Sequence, residues 1–240
     1  MEGQLFVHPP ARGVTTDGAG KVAEVGFVIG MELNLSELSP TKQYFVLSSL
    51  VVPRPIAWVT TLNEDGSVNA APFSYFQLLG QNPPLIVLGI GRRRDGSAKD
   101  TFRNIRRAKD FVINLVNEEN AELMNLSSTE FPPEMSEPEA LGLKTEESTM
   151  VKPPRLAASP ASFEGREIQT LLIGENQVVM GELLVAHIRD EFIDAQTLQV
   201  KTEEMHMIGR LQGGEGGGYA KTRETFHMKR LSFEEWEKTK

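Results

Sequence analysis

Cysteine is absent from the 240 residues, which excludes disulfides, thiolate metal sites and cysteine nucleophiles. Histidine is scarce: His8, His206 and His227 stand apart without metal-ligand spacing, and the fourth, His187, lies in a strand-like stretch. No bound metal is expected, and no serine–histidine–acid arrangement can be argued. The chain lacks an apolar run long enough to cross a bilayer, and its first residues carry no secretory pattern. The cytoplasm is the expected location, with no membrane partner. A basic surplus is missing too. There are 33 Asp and Glu against 25 Lys and Arg, a formal net charge of −8, which argues against nucleic acid as a partner. Neither a Gly-Lys-Ser/Thr phosphate loop nor a dinucleotide-binding fingerprint is present.

One segment breaks the acidic pattern. Residues 92–110 hold eight basic residues against three acids, a local surplus of five positive charges. Three arginines stand in a row in "GRRRDGSAKDT" (91–101), between an apolar run and a helix-like one. Two readings of this stretch stand side by side. It is a solvated basic loop before an amphipathic helix, or it holds an anion. The second has a physical basis, because the first N–H groups of a helix lack partners and its dipole favours negative charge. Lys99 would then act as a point charge, Thr101 as a hydroxyl donor, and one of Arg92 to Arg94 as a cover.

Strand signals dominate the remainder. "PIAWVTTL" (55–62) and "SVNAAPFSYF" (67–76) flank the turn "NEDG" and predict a hairpin. "LIVLGIG" (85–91) and "FVINLV" (111–116) read as buried strands, and "REIQTLLIGE" (166–175) and "VVMGELLVAHI" (178–188) as two more. Helices are few. Ser39 and Pro40 start one of about ten residues. Ser97 as N-cap with Asp100 as its capping-box partner starts another, with Phe102 and Ile105 on one face. Asn117 caps a short acidic helix reaching Leu126, and Ser232 with Glu235 caps a small one at the end. Residues 127–160, proline-rich and aperiodic, read as a long surface excursion. Residues 1–30 read as a loosely attached extension with a short strand at 25–29, residues 31–225 as the main domain, and residues 226–240 as a tail with a short helix. The fold class is mainly β with peripheral helices, an antiparallel barrel rather than a parallel α/β sheet.

"PRPIAWVTTLNEDGSVNAAPFSYF", "NPPLIVLGIG", "KDTFRNI" and "FVINLV", in this order, resemble the flavin reductase-like FMN-binding family, including flavoredoxin-type proteins. "GELLVAHIRDEFID" and the glycine-rich "GRLQGGEGGGYA" extend the resemblance, which covers roughly residues 40–220. It implies a split β-barrel, a homodimer, and FMN held near the subunit interface. It further implies that Arg54, Thr60 and Thr61 line the flavin on one side, with Asn69, Ala71, Pro72, Ser74, Tyr75 and Phe76 on a second wall. Lys99 and Thr101, assisted by Arg94 and Ser97, would hold the FMN phosphate. His187 and Tyr219 would meet the substrate. A strand histidine is also a common packing and hydrogen-bonding residue, and both readings of His187 stay open.

The implied activity is hydride transfer from NADH or NADPH to bound flavin and on to an acceptor, and the chemistry belongs to the cofactor. No catalytic side chain is required for it, His187 being the one candidate. The alternative is an FMN-binding electron carrier without nicotinamide activity. A monooxygenase or an electron-transfer protein is the implied macromolecular partner.

Overall fold

The computed structural model describes residues 11–16, 22–28, 30–132, 135–214 and 216–240. Part of the expected extension, including His8, falls on residues 1–10, 17–21 and 29, which lie outside the described residues. Within it, β1 (Ala11–Thr16) pairs antiparallel with β2 (Val22–Val28). Ser39 opens α1 (Pro40–Leu50) as expected, its hydroxyl accepting from the Lys42 N–H at 3.4 Å.

The hairpin signal at residues 55–73 produces β3 (Ala57–Leu62) and β4 (Val68–Phe73). Between them the Asn63 N–H donates to the Ser67 carbonyl at 2.9 Å. The second half of "SVNAAPFSYF" departs from the expected single strand. The chain breaks at Ser74 and Tyr75 and resumes as β5 (Phe76–Gln81), which pairs with β6 (Pro84–Ile90). At the break the Tyr75 carbonyl accepts the Gly89 N–H at 2.7 Å. Helix α2 (Asp100–Ala108) and β7 (Asp110–Leu115) follow, then α3 (Ala121–Leu126) and α4 (Glu137–Leu141). The short β8 (Thr145–Glu146) and β9 (Arg155–Leu156) pair, and β10 (Ala161–Ile173) and β11 (Asn176–Ile188) make a long hairpin. β12 (Ile208–Arg210) pairs with β13 (Tyr219–Lys221), and α5 (Phe233–Glu237) carries the expected Ser232/Glu235 capping box.

The large sheet runs β4-β3-β7-β10-β11-β6-β5 with every pairing antiparallel. Because β4 and β5 are consecutive in the chain yet lie at opposite ends of that order, the sheet curls into a split barrel. Alternation along β3 then sorts its side chains. Ala57 and Val59 join Ile86, Leu88, Ile113 and Phe111 inside, while Trp58 faces a second cluster with Ile56, Met124 and Leu156. The fully buried Phe111 ring fills the interior where β10 and β11 cross. A Cβ at Gly165 or at Gly181 would sit 2.5 Å from it, so both strands need glycine there.

Residues 127–160, expected on the surface, instead roof the Trp58 cluster. Leu156 is 2% exposed, and the edge of β4 is capped from this segment. The Ser136 hydroxyl donates to the Val68 carbonyl at 2.7 Å, and a Glu137 oxygen accepts the Ala70 N–H at 3.0 Å. Asn114, in the apolar-looking "FVINLV", is the buried polar joint of this roof. Its amide donates to the Trp58 carbonyl at 2.9 Å, and its oxygen accepts from the Leu156 N–H at 2.8 Å and the Ser162 hydroxyl at 2.9 Å.

Candidate functional site

The arginine-rich stretch folds as a tight turn before α2. Arg92 bridges to Ala98, and the Arg93 N–H donates to the Ser97 carbonyl at 2.9 Å. Ser97 is spent in this turn, its N–H donating to the Asp95 carboxylate at 2.8 Å. The expected Ser97 N-cap and its capping box with Asp100 do not form. The helix starts two residues later, with Lys99 at the cap and Asp100 in its first turn. Asn117 is likewise no helix cap. It exchanges N–H···O bonds with Asn120 at 3.0 and 3.2 Å, and α3 begins after that pair.

Pairing engages most of the cations in this basic segment. Arg93 and Arg103 bond Asp100, Arg106 and Lys109 bond the buried Glu167, and Arg107 lies 3.4 Å from Glu64. Lys99 and Arg94 have no ion pair among the described residues. Arg94 is exposed, whereas Lys99 turns inward with its Nζ 5.5 Å from the centre of the Phe73 ring. Burial lowers the Lys99 pKa, the Glu130 charge opposes that, and the nearby Arg93 adds to it.

Lys99 lines a cavity of about 80 Å³ shared with Asn69, Ala71, Pro72, Arg93 and Thr101. Thr101 is 1% exposed, and its oxygen accepts from the Asn69 amide at 3.0 Å. Its own hydroxyl proton is uncommitted among the described residues. The far wall comes from the roof: Ser127, Ser128, Thr129, Glu130, Phe131 and Glu137. Burial raises the Glu137 pKa, the Ala70 N–H bond opposes it, and the Asp100 charge adds to it. A second cavity of about 190 Å³ shares Pro72 and Ser128 with the first, so the two adjoin. It carries Tyr44, Phe73, Ser74 and Tyr219. The Tyr219 hydroxyl donates to Asn125 at 2.8 Å, and the Arg210 guanidinium lies 4.6 Å from the centre of its ring.

The remaining expected residues line neither of these two cavities. Thr60 and Thr61 point to opposite faces of β3. Thr60 donates to the Pro154 carbonyl at 2.5 Å under the roof, and Thr61 accepts from Asn69 at 3.1 Å and Asn104 at 3.0 Å. Arg54 is 6% exposed and its donors are committed. They reach the Ser48 carbonyl at 2.5 Å, Val51 at 2.9 Å, Leu211 at 2.6 Å and the Ser74 hydroxyl at 3.3 Å. Arg54 thereby closes the last turn of α1 and fixes Ser74. Tyr75 stays half exposed beside it, and Phe76 packs on the barrel core. His187 lines a third cavity of about 730 Å³ with Arg155, Ser159, Ser162 and Arg189, and this cavity shares no lining residue with the other two. Its Nε2 lies 2.6 Å from Glu164, a fully buried carboxylate that also accepts the Thr149, Met150 and Val151 N–H groups. Among the described residues no group of three His, Asp or Glu is placed to hold a metal ion. No helix is long and apolar enough to cross a membrane.

The smaller cavities, not the larger one, join a half-buried cation without an ion pair among the described residues, a helix start and aromatic side chains. Sequence reasoning held Arg93 only as one of three candidate covers, and missed Tyr44 and the hydroxyl run 127–129. The last is a "SST" triplet whose place over Lys99 only the roof determines.

Comparison with known proteins bears on the family and the fold. An uncharacterized protein of Deinococcus radiodurans is 40% identical over 209 residues, 85% of this chain and 91% of that protein. The 2-nitrobenzoate 2-nitroreductase of Pseudomonas fluorescens superposes with a TM-score of 0.76 at 32% identity, covering 85% of this chain and 98% of that one. Nitrilotriacetate monooxygenase component B from Bacillus cereus superposes with a TM-score of 0.78 at 27% identity, covering 83% and 98%. The model of the flavin reductase like domain matches residues 48–208, the span that builds the barrel, the Lys99 cavity and its roof, and the chain belongs to that flavin-binding, split-barrel family.

Proposed function

We propose that the protein is an FMN-dependent oxidoreductase that works as a homodimer, taking a hydride from NADH or NADPH and passing the electrons to an acceptor. That acceptor is a small molecule, a monooxygenase or an electron-transfer protein. The observation that carries the reading is Lys99, a cation drawn out of water at a helix start without an acid partner. An anion there restores what burial takes from the lysine, and the residues fit a phosphate. Lys99 supplies charge, the first N–H groups of α2 supply donors, and Thr101 supplies a hydroxyl already oriented by Asn69. The adjoining cavity, with Pro72, Ser74 and Tyr219, receives the remainder of the cofactor. When bound, FMN supplies the ring that accepts the hydride. The chain's own share is to bind, to orient and to exclude water.

Uncovered apolar side chains support the dimer. Ile168, Leu171, Leu172 and Ile173 on the β10–β11 hairpin and Leu78 and Leu79 on β5 are all exposed. In this reading His187, whose cavity is separate within one protomer, serves substrate from the second copy. The test is to mix the purified protein with FMN and either nicotinamide and follow the nicotinamide absorbance. Rapid oxidation is expected. Bound flavin with no oxidation would replace the enzyme with an electron carrier.

A further inference from the structure

Helix α1 is turned inside out. Ser48 is its one buried residue, holding the helix to the protomer through Arg54 and through the Gly213 N–H at 3.1 Å. Its large apolar side chains are left uncovered, Leu50 75% and, just past its end, Val51 62% exposed with Leu47 beside them, while Tyr44 (43%) and Phe45 stay half exposed over Gly213 and Gly214. A helix on a finished surface buries that face. Residues 40–52 carry a single charge, Lys42, so covering the face desolvates almost no charge.

A second apolar surface lies at the end of the chain. Residues 222–232 form no helix or strand. Their root is pinned: Lys221 lies 2.8 Å from Glu118, Arg223 bonds the same carboxylate, and the Thr222 N–H donates to the Met207 carbonyl at 3.1 Å. Beyond it Phe226 is 82%, Met228 81% and Phe233 67% exposed, with Leu231 and Trp236 also uncovered.

We infer that residues 222–240 are an arm that crosses to a second copy of the chain and lies on that copy's α1. Each protomer leaves both surfaces open at once, and a two-fold exchange closes all four with one contact. The areas match. Aromatic side chains carry roughly 150–250 Å² each, so the exposed parts of the arm and of the helix face come to about 600 Å² apiece. Counted over both arms and both helix faces they total about 2,400 Å², above the ~1,200–2,000 Å² of a standard interface. The geometry allows it, since the arm's root and α1 border the same cavity through Tyr219 and Tyr44. The ten residues from Arg223 to Ser232, in no helix or strand, reach about 30 Å when extended. The exchange places the arm beside the Lys99–Tyr219 cavities of the second copy.

The inference rests on the dimer proposed above, and the test separates the two. The natural chain has no cysteine, so a Leu47→Cys, Phe233→Cys double variant reacts at those positions alone with a short bis-maleimide. A covalent dimer from the double variant, absent from either single variant, is expected. An internal cross-link or none overturns the arm exchange. Independently, Phe226→Ser, Phe233→Ser and Trp236→Ser combined should weaken self-association at least tenfold by sedimentation, with unchanged thermal unfolding of the barrel. A parent protein that is dimeric, with an arm variant equally so, sinks the arm alone. A monomeric parent sinks the dimer with it.

Discussion

Lys99→Ala removes the cation from the cavity at the start of α2 and leaves Asn69, Thr101 and the helix N–H groups in place. Hydrogen bonds to charged groups are worth roughly 1.5–3 kcal/mol, so FMN affinity is expected to fall between about tenfold and a little over a hundredfold. Riboflavin, which lacks the phosphate, should bind parent and variant alike. Fluorescence-quenching titrations with both ligands check this, and equal FMN affinities would remove Lys99 from the site. The flavin-free fold should lose nothing, because a lysine at a helix start opposes the dipole and burial already disfavours its charge. Asn114 behaves in the opposite way. Asn114→Ala leaves the Leu156 N–H, the Ser162 hydroxyl and the Trp58 carbonyl without their partner. The loss should be about 2–4 kcal/mol of stability, read from denaturant unfolding, and a cost under about 1 kcal/mol would show that the roof re-pairs without it.

At the scale of elements, two buried carboxylates tie strands to their surroundings. Glu167 on β10 bonds Lys109 at 2.5 Å, the Thr170 hydroxyl at 2.6 Å and Arg106 at the end of α2. Glu164, three residues earlier on the same strand, bonds the roof and His187. Burial pushes both pKa values up, but these donors outweigh it and hold each below the ordinary 4.5. A depressed carboxylate contributes stability that is complete above its unfolded value and is lost as pH falls through its folded one. Unfolding free energy should therefore be insensitive to these groups above about pH 5 and decline below it. Glu167→Gln should be less stable at neutral pH and show a shallower acid decline. A parallel decline in parent and variant would mean that other groups set the acid limit.

At the scale of the whole molecule, charge is arranged rather than merely summed. A chain of net charge −8 concentrates five surplus positive charges in 92–110, of which Glu167 and Glu64 from outside the segment offset two. Of the basic residues left without an ion pair among the described residues, Arg92 and Arg94 are exposed and Lys99 alone turns inward, a site for a single compact anion. The flavin released on denaturation should accordingly be FMN, identified by chromatography, and FAD as the sole species would contradict the single-phosphate reading. The exposed leucines and isoleucines of β5 and the β10–β11 hairpin call for a second copy, so sedimentation at micromolar concentration should give twice the 240-residue mass.

Local pattern was enough for the β3–β4 hairpin, the buried β6 and β7, the Ser39 and Ser232 caps and the antiparallel class. Each depends on residues a few positions apart, through alternation, turn chemistry or capping. The order of the flavin motifs was legible for the same reason, since each motif is contiguous. Tertiary structure decided what depends on distant partners. "SVNAAPFSYF" splits because barrel closure asks the Tyr75 carbonyl to accept the Gly89 N–H. α2 starts at Asp100 because the 92–98 turn consumes Ser97. Arg93 rather than Arg94 lines the cavity, and Thr60 turns away from Thr61, because a strand and a turn aim neighbours in opposite directions. The wall over Lys99 comes from an aperiodic segment whose backbone is held at β4 by Ser136 and Glu137. Its position follows from hydrogen bonds to residues about 67 places earlier in the chain, a separation that no local pattern in the sequence records.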